Sequence, residues 1–203
     1  MTTILFILLL NFSLASLSFG QIGFKTNADS NDAKYLFIAE NYFEKDSFAL
    51  ALFGNKIENS GHRQFDGFLE IIEKYPTSNS ANISQFYAGI CFLNLQKFNK
   101  AITHLRQFNA KDSLSTALKL GLIGDSYSEL GQYSDALINY LKALDNLNGS
   151  KLTPIYLLKA ALIYNKIDDT KNALKLLKSI KMNHPYSNEA QNVDLFIEQI
   201  SSY

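Results

Sequence analysis

The stretch Ser-Tyr-Ser-Glu-Leu-Gly-Gln-Tyr-Ser-Asp-Ala-Leu (residues 126–137) has the pattern of two helices joined by a tight turn. Gly131 ends the first segment, and the aromatic Tyr133 and the small Ala136 begin the second. Glycine suits the left-handed backbone conformation in which many helices end. The stretch therefore predicts a helical hairpin.

The same pattern recurs on both sides of this hairpin, at intervals of 35 and then 37 residues. A small residue is followed three positions later by an aromatic residue, and nine positions after that by an alanine. The sets are Gly89, Phe92 and Ala101; Gly124, Tyr127 and Ala136; and Ala161, Tyr164 and Ala173. A further column holds Leu105, Tyr140 and Leu177. Small residues let two antiparallel helices approach closely, so the repeat predicts stacked helical hairpins that share one core.

We divide the chain into three regular units at residues 80–112, 115–149 and 152–185, numbered in that order. An interrupted unit at 33–76 precedes them. It contains an insertion at 54–64, which is either a functional loop or a solvated break. Residues 187–200 have apolar residues at helical spacing and are expected to form a helix that caps the array.

These units resemble the tetratricopeptide repeat family, most closely over residues 126–137. The resemblance implies an all-α fold, a right-handed superhelical array of antiparallel helix pairs with a C-terminal capping helix. The family's usual first tryptophan is replaced by Gln85, Leu120 and Leu157. The chain is also similar to bacterial envelope-anchored repeat proteins, some of which act as chaperone-like factors in protein export.

The first 24 residues carry no charged side chain, and residues 4–10 are all apolar. With Ser18 and Gly20 at the third and first positions before Gln21, this is typical of a signal peptide at 1–20. Cleavage before Gln21 predicts a periplasmic or secreted protein, with a polar linker at 21–32. The alternatives are an inner-membrane anchor over residues 3–24 and a buried amphipathic helix.

Composition and motifs argue against several function classes. Lys+Arg and Asp+Glu both total 19, and only Arg63 and Arg106 are arginines, so the chain lacks the basic character of a nucleic-acid-binding protein. The single Cys91 excludes an internal disulfide. No nucleotide-binding or hydrolase motif occurs, and the repeat separates the three histidines. We expect no catalytic site, metal or cofactor.

The resemblance places ligands on the concave face, which the first helix of each unit lines. The corresponding residues are Ile83, Phe86, Ile90, Leu93, Leu118, Asp125, Ser128, Ile155, Leu158, Leu162 and Asn165. This face is largely apolar, so it either binds a hydrophobic peptide or helix or is covered by the protein itself. A separate basic face holds Lys171, Lys175 and Lys178, which either meet an acidic partner or anionic lipids or are simply solvated.

The sequence thus predicts a non-catalytic protein–protein interaction scaffold of the bacterial cell envelope. It would bind protein or peptide segments on the concave face and assist export or assembly. The alternative is a purely structural subunit, in an envelope complex or a homodimer, whose apolar groove is permanently occupied.

Overall fold

The computed structural model describes residues 30–55, 65–147 and 149–202, and the regular elements of these ranges are helices. They are α1 (Asn31–Phe43), α2 (Phe48–Phe53), α3 (Phe68–Lys74), α4 (Asn79–Asn94), α5 (Phe98–Gln107), α6 (Ser113–Glu129), α7 (Tyr133–Asp145), α8 (Thr153–Lys166), α9 (Thr170–Asn183), a 3-10 helix (Glu189–Asn192) and α10 (Val193–Ser201). The predicted signal peptide or anchor, and insertion residues 56–64, lie outside the described residues.

Consecutive helices pair into hairpins, and the hairpins stack. The pairs α4–α5, α6–α7 and α8–α9 form the regular units, and α5 packs on α6 as α7 packs on α8. Helix α10 packs against α9 at the C-terminal end. The prediction of an all-α helical-repeat array is confirmed. None of the helices within 30–55, 65–147 and 149–202 is long and apolar enough to cross a membrane.

The turn between the paired helices has the same geometry in all four units. Its left-handed residue has φ between 55° and 70°, and is Asp46, Gln96, Gly131 or Asp168. The next amide N–H donates a hydrogen bond of 2.7–2.9 Å to the carbonyl of the aromatic residue five positions earlier: Tyr42, Phe92, Tyr127 or Tyr164. This is a Schellman motif, which satisfies carbonyls that a helix end leaves unpaired. The interrupted unit therefore carries the same repeat as the others.

The small residues mark where the paired helices come closest. Those on the second helices, Ala51, Ala101, Ala136 and Ala173, are completely buried. A β-carbon at Gly89 would lie 2.5 Å from the Leu105 side chain, and one at Gly124 would lie 2.6 Å from the Tyr140 ring. The glycine column and the Leu105/Tyr140 column of the sequence are thus in direct contact, and glycine makes room for the larger side chain.

The insertion interrupts the second helix of its unit, between α2 and α3. Asn55 and Phe65 bridge its two ends through backbone hydrogen bonds of 3.2 and 3.4 Å. A β-carbon at Gly54 or Gly67 would overlap the backbone of the opposite segment, so both glycines are needed at this neck. Phe65 is buried and stacks on Tyr42 with ring centroids 4.6 Å apart. The neck is therefore anchored on the core.

We predict that Gly124→Ala destabilises the fold, although alanine has the higher helix propensity by about 1 kcal/mol. The added methyl group overlaps the fully buried Tyr140 ring, and overpacking of this kind costs about 1–3 kcal/mol. The third regular unit carries Ala161 and Leu177 at these positions. Gly124→Ala should therefore lower the free energy of unfolding by less when Tyr140 is also changed to Leu. Urea denaturation of the four chains tests this, and a stabilising Gly124→Ala would contradict it.

Candidate functional site

The structure buries part of the predicted concave face. Ile83, Phe86, Ile90 and Leu118 are at most 1% exposed. Phe86 packs against the Phe108 ring at a centroid distance of 5.0 Å. Phe108 is itself buried and follows the end of α5. These four residues therefore belong to the core, and the expectation that they contact a partner has to be corrected.

The other predicted residues of the first two regular units offer little surface. Asp125 and Ser128 are buried, each 5% exposed, and Leu93 is half-buried against the core. In the third regular unit, Asn165 is exposed, whereas Ile155, Leu158 and Leu162 are half-buried. Accessible apolar side chains of the predicted face are thus concentrated on α8.

Ile155, Leu158 and Leu162 line a groove of about 80 Å³ between α8 and the C-terminal cap. We call it the cap groove. Its other wall comes from the 3-10 helix and α10, which contribute Phe196 and the polar side chains of Asn188, Glu189 and Asn192. Lys159 completes the lining. The concave-face pattern identified the α8 wall but missed the cap wall, although the helical spacing of residues 187–200 already placed Phe196 on an apolar face.

A buried cluster of polar groups lies beside this groove. The Lys159 ammonium contacts both carboxylate oxygens of Asp125, at 2.6 and 2.8 Å. The Tyr140 hydroxyl donates a 2.7 Å hydrogen bond to the same carboxylate. Only 8% of the Asp125 side chain and 20% of the Lys159 side chain are exposed. Asp125, predicted to contact a partner, is instead occupied within the protein.

This cluster joins three helices, because Asp125 lies on α6, Tyr140 on α7 and Lys159 on α8. Burial, and then the Asp125 charge, raise the pKa of Tyr140 well above its ordinary value, so its hydroxyl remains a donor. The Lys159 ammonium also lies 5.9 Å from the Tyr140 ring centroid and 5.8 Å from that of Tyr156. The cluster therefore fixes α8, and with it the apolar wall of the cap groove, against the preceding unit.

Gly121 on α6 makes room for the Tyr156 side chain of α8. A β-carbon at this position would overlap the Tyr156 ring, which is buried between the two helices. Glycine thus serves packing here, as it does at residue 124.

A second ion cluster stands at the neck of the insertion. The exposed Lys74 ammonium lies 3.0 Å from an oxygen of the buried Asp66 and 2.8 Å from one of Glu70. Hydrogen bonds to Glu70 and Asp66 raise the pKa of Lys74. Each charge therefore has an opposite charge beside it, which points to a structural rather than a catalytic role.

The described histidines do not form a shared site. His104 Nδ1 lies 2.7 Å from the Gln85 side-chain oxygen, and its ring stacks on Phe92 with centroids 5.1 Å apart. His184 follows the end of α9, and His62 lies outside the described residues. Within the part of the chain that the structure describes, no three His, Cys, Asp or Glu side chains are grouped to hold a metal ion.

Among the other predicted residues, Lys171, Lys175 and Lys178 are all exposed on α9. Cys91 is fully buried, and burial raises the pKa of its thiol. A thiol of this kind is unreactive because little of it ionises.

We predict that Asp125→Ala lowers the free energy of unfolding by about 2–4 kcal/mol. The change leaves the Lys159 ammonium and the Tyr140 hydroxyl without their acceptor in a largely buried place. In a Lys159→Met background the same change should cost less, because no unpaired charge remains. Denaturation of the four chains measures this coupling, and additive effects would show that the cluster does not act as a unit.

We predict that His104 makes the fold less stable in mild acid. Burial, and then the Lys100 charge, lower the pKa of His104, so the unfolded chain takes up its proton at a higher pH than the folded chain. Stability is lost as pH falls through the unfolded value of about 6.5. Between about pH 7.5 and 5, the melting temperature of the His104→Gln variant should therefore fall by less than that of the parent chain. Equal losses in the two chains would refute this assignment.

Comparisons with known proteins agree with this architecture. A family model described as tetratricopeptide repeat matches residues 84–115. A crystal structure of MamA protein superposes with a TM-score of 0.60 at 13% identity, covering 85% of this chain and 87% of that one. Another crystal structure of MamA superposes with a TM-score of 0.56 at 12% identity, covering 81% of this chain and 93% of that one. No curated protein matches the sequence significantly. The repeat pattern, the matched unit at 84–115 and the shared fold support an array of helical hairpins like that of tetratricopeptide repeat proteins.

Proposed function

We propose that this protein is a non-catalytic interaction scaffold of the bacterial cell envelope that binds an apolar segment of a partner protein in the cap groove. Tetratricopeptide repeat arrays generally bind proteins. The observation that carries the choice of site is the placement of Ile155, Leu158 and Leu162. They are the apolar residues of the predicted concave face that line an accessible groove.

The chemistry of the cap groove favours a helix or an extended segment with neighbouring apolar side chains. Its α8 wall is aliphatic and half-buried, and the buried Phe196 lies opposite it, so apolar side chains bound here would remove the α8 wall from water. Asn188 and Asn192 are exposed on the cap side, where their amides are available to backbone groups of a bound segment. Because Asp125 already neutralises Lys159, the described residues that line the groove offer no free cation for a terminal carboxylate.

The envelope assignment rests on the N-terminal sequence. The run of apolar residues at 4–10 followed by small residues matches the apolar region and cleavage site of an export signal, and the α-amino group supplies the positive charge before it. The same stretch suits a tether over residues 3–24. In either form the array would be delivered outside the cytoplasm, where it would hold exported or assembling proteins.

A second candidate function is a structural subunit in a complex or homodimer. Phe37 on α1, and Leu50 and Phe53 on α2, are between 43% and 63% exposed. At the positions of Leu50 and Phe53, α5 carries Lys100 and Thr103. An apolar face at the first unit favours a permanent contact there. Light scattering at decreasing protein concentration separates the two candidates. A permanent homodimer keeps the mass of two chains on dilution, whereas a scaffold with a free groove has no need to dimerise.

Short apolar peptides that bind the full chain can be selected from a displayed random library. We predict that these peptides bind the Leu158→Asp variant about tenfold or more weakly than the parent chain. The aspartate places a charge on the apolar wall of the cap groove. Ile138→Asp is the matched control, because Ile138 is an exposed aliphatic residue on α7 and does not line the groove. Unchanged melting temperatures verify folding. Equal peptide affinity of the two variants would remove the cap groove from the proposal.

A further inference from the structure

One face of α9 carries a row of lysines. Lys171, Lys175, Lys178 and Met182 lie within about 60° of the helix circumference and about 16 Å of its length. All four are exposed, Met182 to 78%. Tyr186 follows the helix and is 98% exposed. We call the three lysines the lysine stripe, and Met182 with Tyr186 its apolar end.

The lysine stripe is specific to the third regular unit. At the positions of Lys171, Lys175 and Lys178, α5 carries Asn99, Thr103 and Arg106, whereas α7 carries Ser134, Ile138 and Leu141. The stripe is therefore not a general solubility feature of the repeat.

The acidic groups around α9 leave the stripe positively charged. The helix itself contains four lysines and no Asp or Glu. Asp169 accepts hydrogen bonds from the backbone and side chain of Asn172, so it caps the start of the helix. Its carboxylate also interacts electrostatically with Lys171. Asp168 is exposed in the turn before the helix. At the other end, Asp194 pairs at 2.7 Å with Lys181, which lies to one side of the stripe.

We propose that the lysine stripe docks on an anionic phospholipid surface and that Met182 and Tyr186 insert between the headgroups. This is a second binding surface, separate from the cap groove. Clustered lysines attract the negative surface of a bilayer, and tyrosine is enriched at its interface with water. An acidic protein surface is the less favoured occupant, because the stripe has no arginine to form the forked pairs that such interfaces use.

Vesicle binding by the full-length chain tests the proposal. Vesicles of phosphatidylcholine alone are compared with vesicles containing about 30% phosphatidylglycerol, at low and physiological salt. Lys171, Lys175 and Lys178 are changed together to Gln. The matched control changes Lys34, Lys45 and Lys142 to Gln, which removes the same charge from other exposed positions. Residues 1–29 are common to all these chains, so any membrane affinity of that segment cancels in the comparison.

We expect the stripe variant to bind anionic vesicles about 10- to 100-fold more weakly than the control variant, and the difference to shrink in salt. Equal affinities would overturn the proposal. So would stripe-dependent binding to polyglutamate without binding to vesicles, which would assign the stripe to an acidic protein.

Insertion of the apolar end has its own readout, because the chain contains no tryptophan. Tyr186→Trp introduces a single indole at the most exposed residue of that end. Its emission should shift to shorter wavelength on anionic vesicles, and the shift should be lost when the lysine stripe is also changed. An unchanged emission spectrum would overturn the insertion of Tyr186.

Discussion

The close approach of two antiparallel helices at small residues is the constraint on which this array depends. Glycine has no β-carbon, and the side chains of Leu105 and Tyr140 on the paired helices fill the space this leaves at Gly89 and Gly124. At Gly121 the space is filled by Tyr156 of the next unit. Once the helices are this close, the aromatic residue that precedes each turn supplies the carbonyl that closes it. Packing and turn geometry therefore reinforce each other in every unit.

The interrupted unit shows how much change this constraint tolerates. Ala39 and Ala51 are completely buried, so the hairpin is intact where its helices are closest. The insertion begins after α2, at the point where the regular units carry Leu105, Tyr140 and Leu177. Two glycines and the buried Phe65 then return the chain to the core before α3. An array of this kind can acquire a loop without losing its stacking.

The sequence was sufficient for the repeat because Gly124, Tyr127 and Ala136 meet requirements that recur at fixed spacing. It was not sufficient for the site. The pairing of Asp125 with Lys159 joins residues of different units, and the repeat alone does not distinguish an inter-unit pair from a solvent-facing acid. The burial of Phe86 likewise depends on Phe108, which leaves the helical pattern where α5 ends. The cap wall of the groove depends on how α10 packs, which the spacing of its apolar residues does not specify.

We propose that the end of the concave face between α8 and the cap binds partner segments. The most direct measurement is methyl NMR of the full-length protein during titration with a selected apolar peptide. We expect the largest shifts at Ile155, Leu158 and Leu162, with little change at the buried Ile83 and Ile90. Shifts confined to Leu50 and other methyl groups of the first unit would contradict it and would place the binding surface at the opposite end of the array.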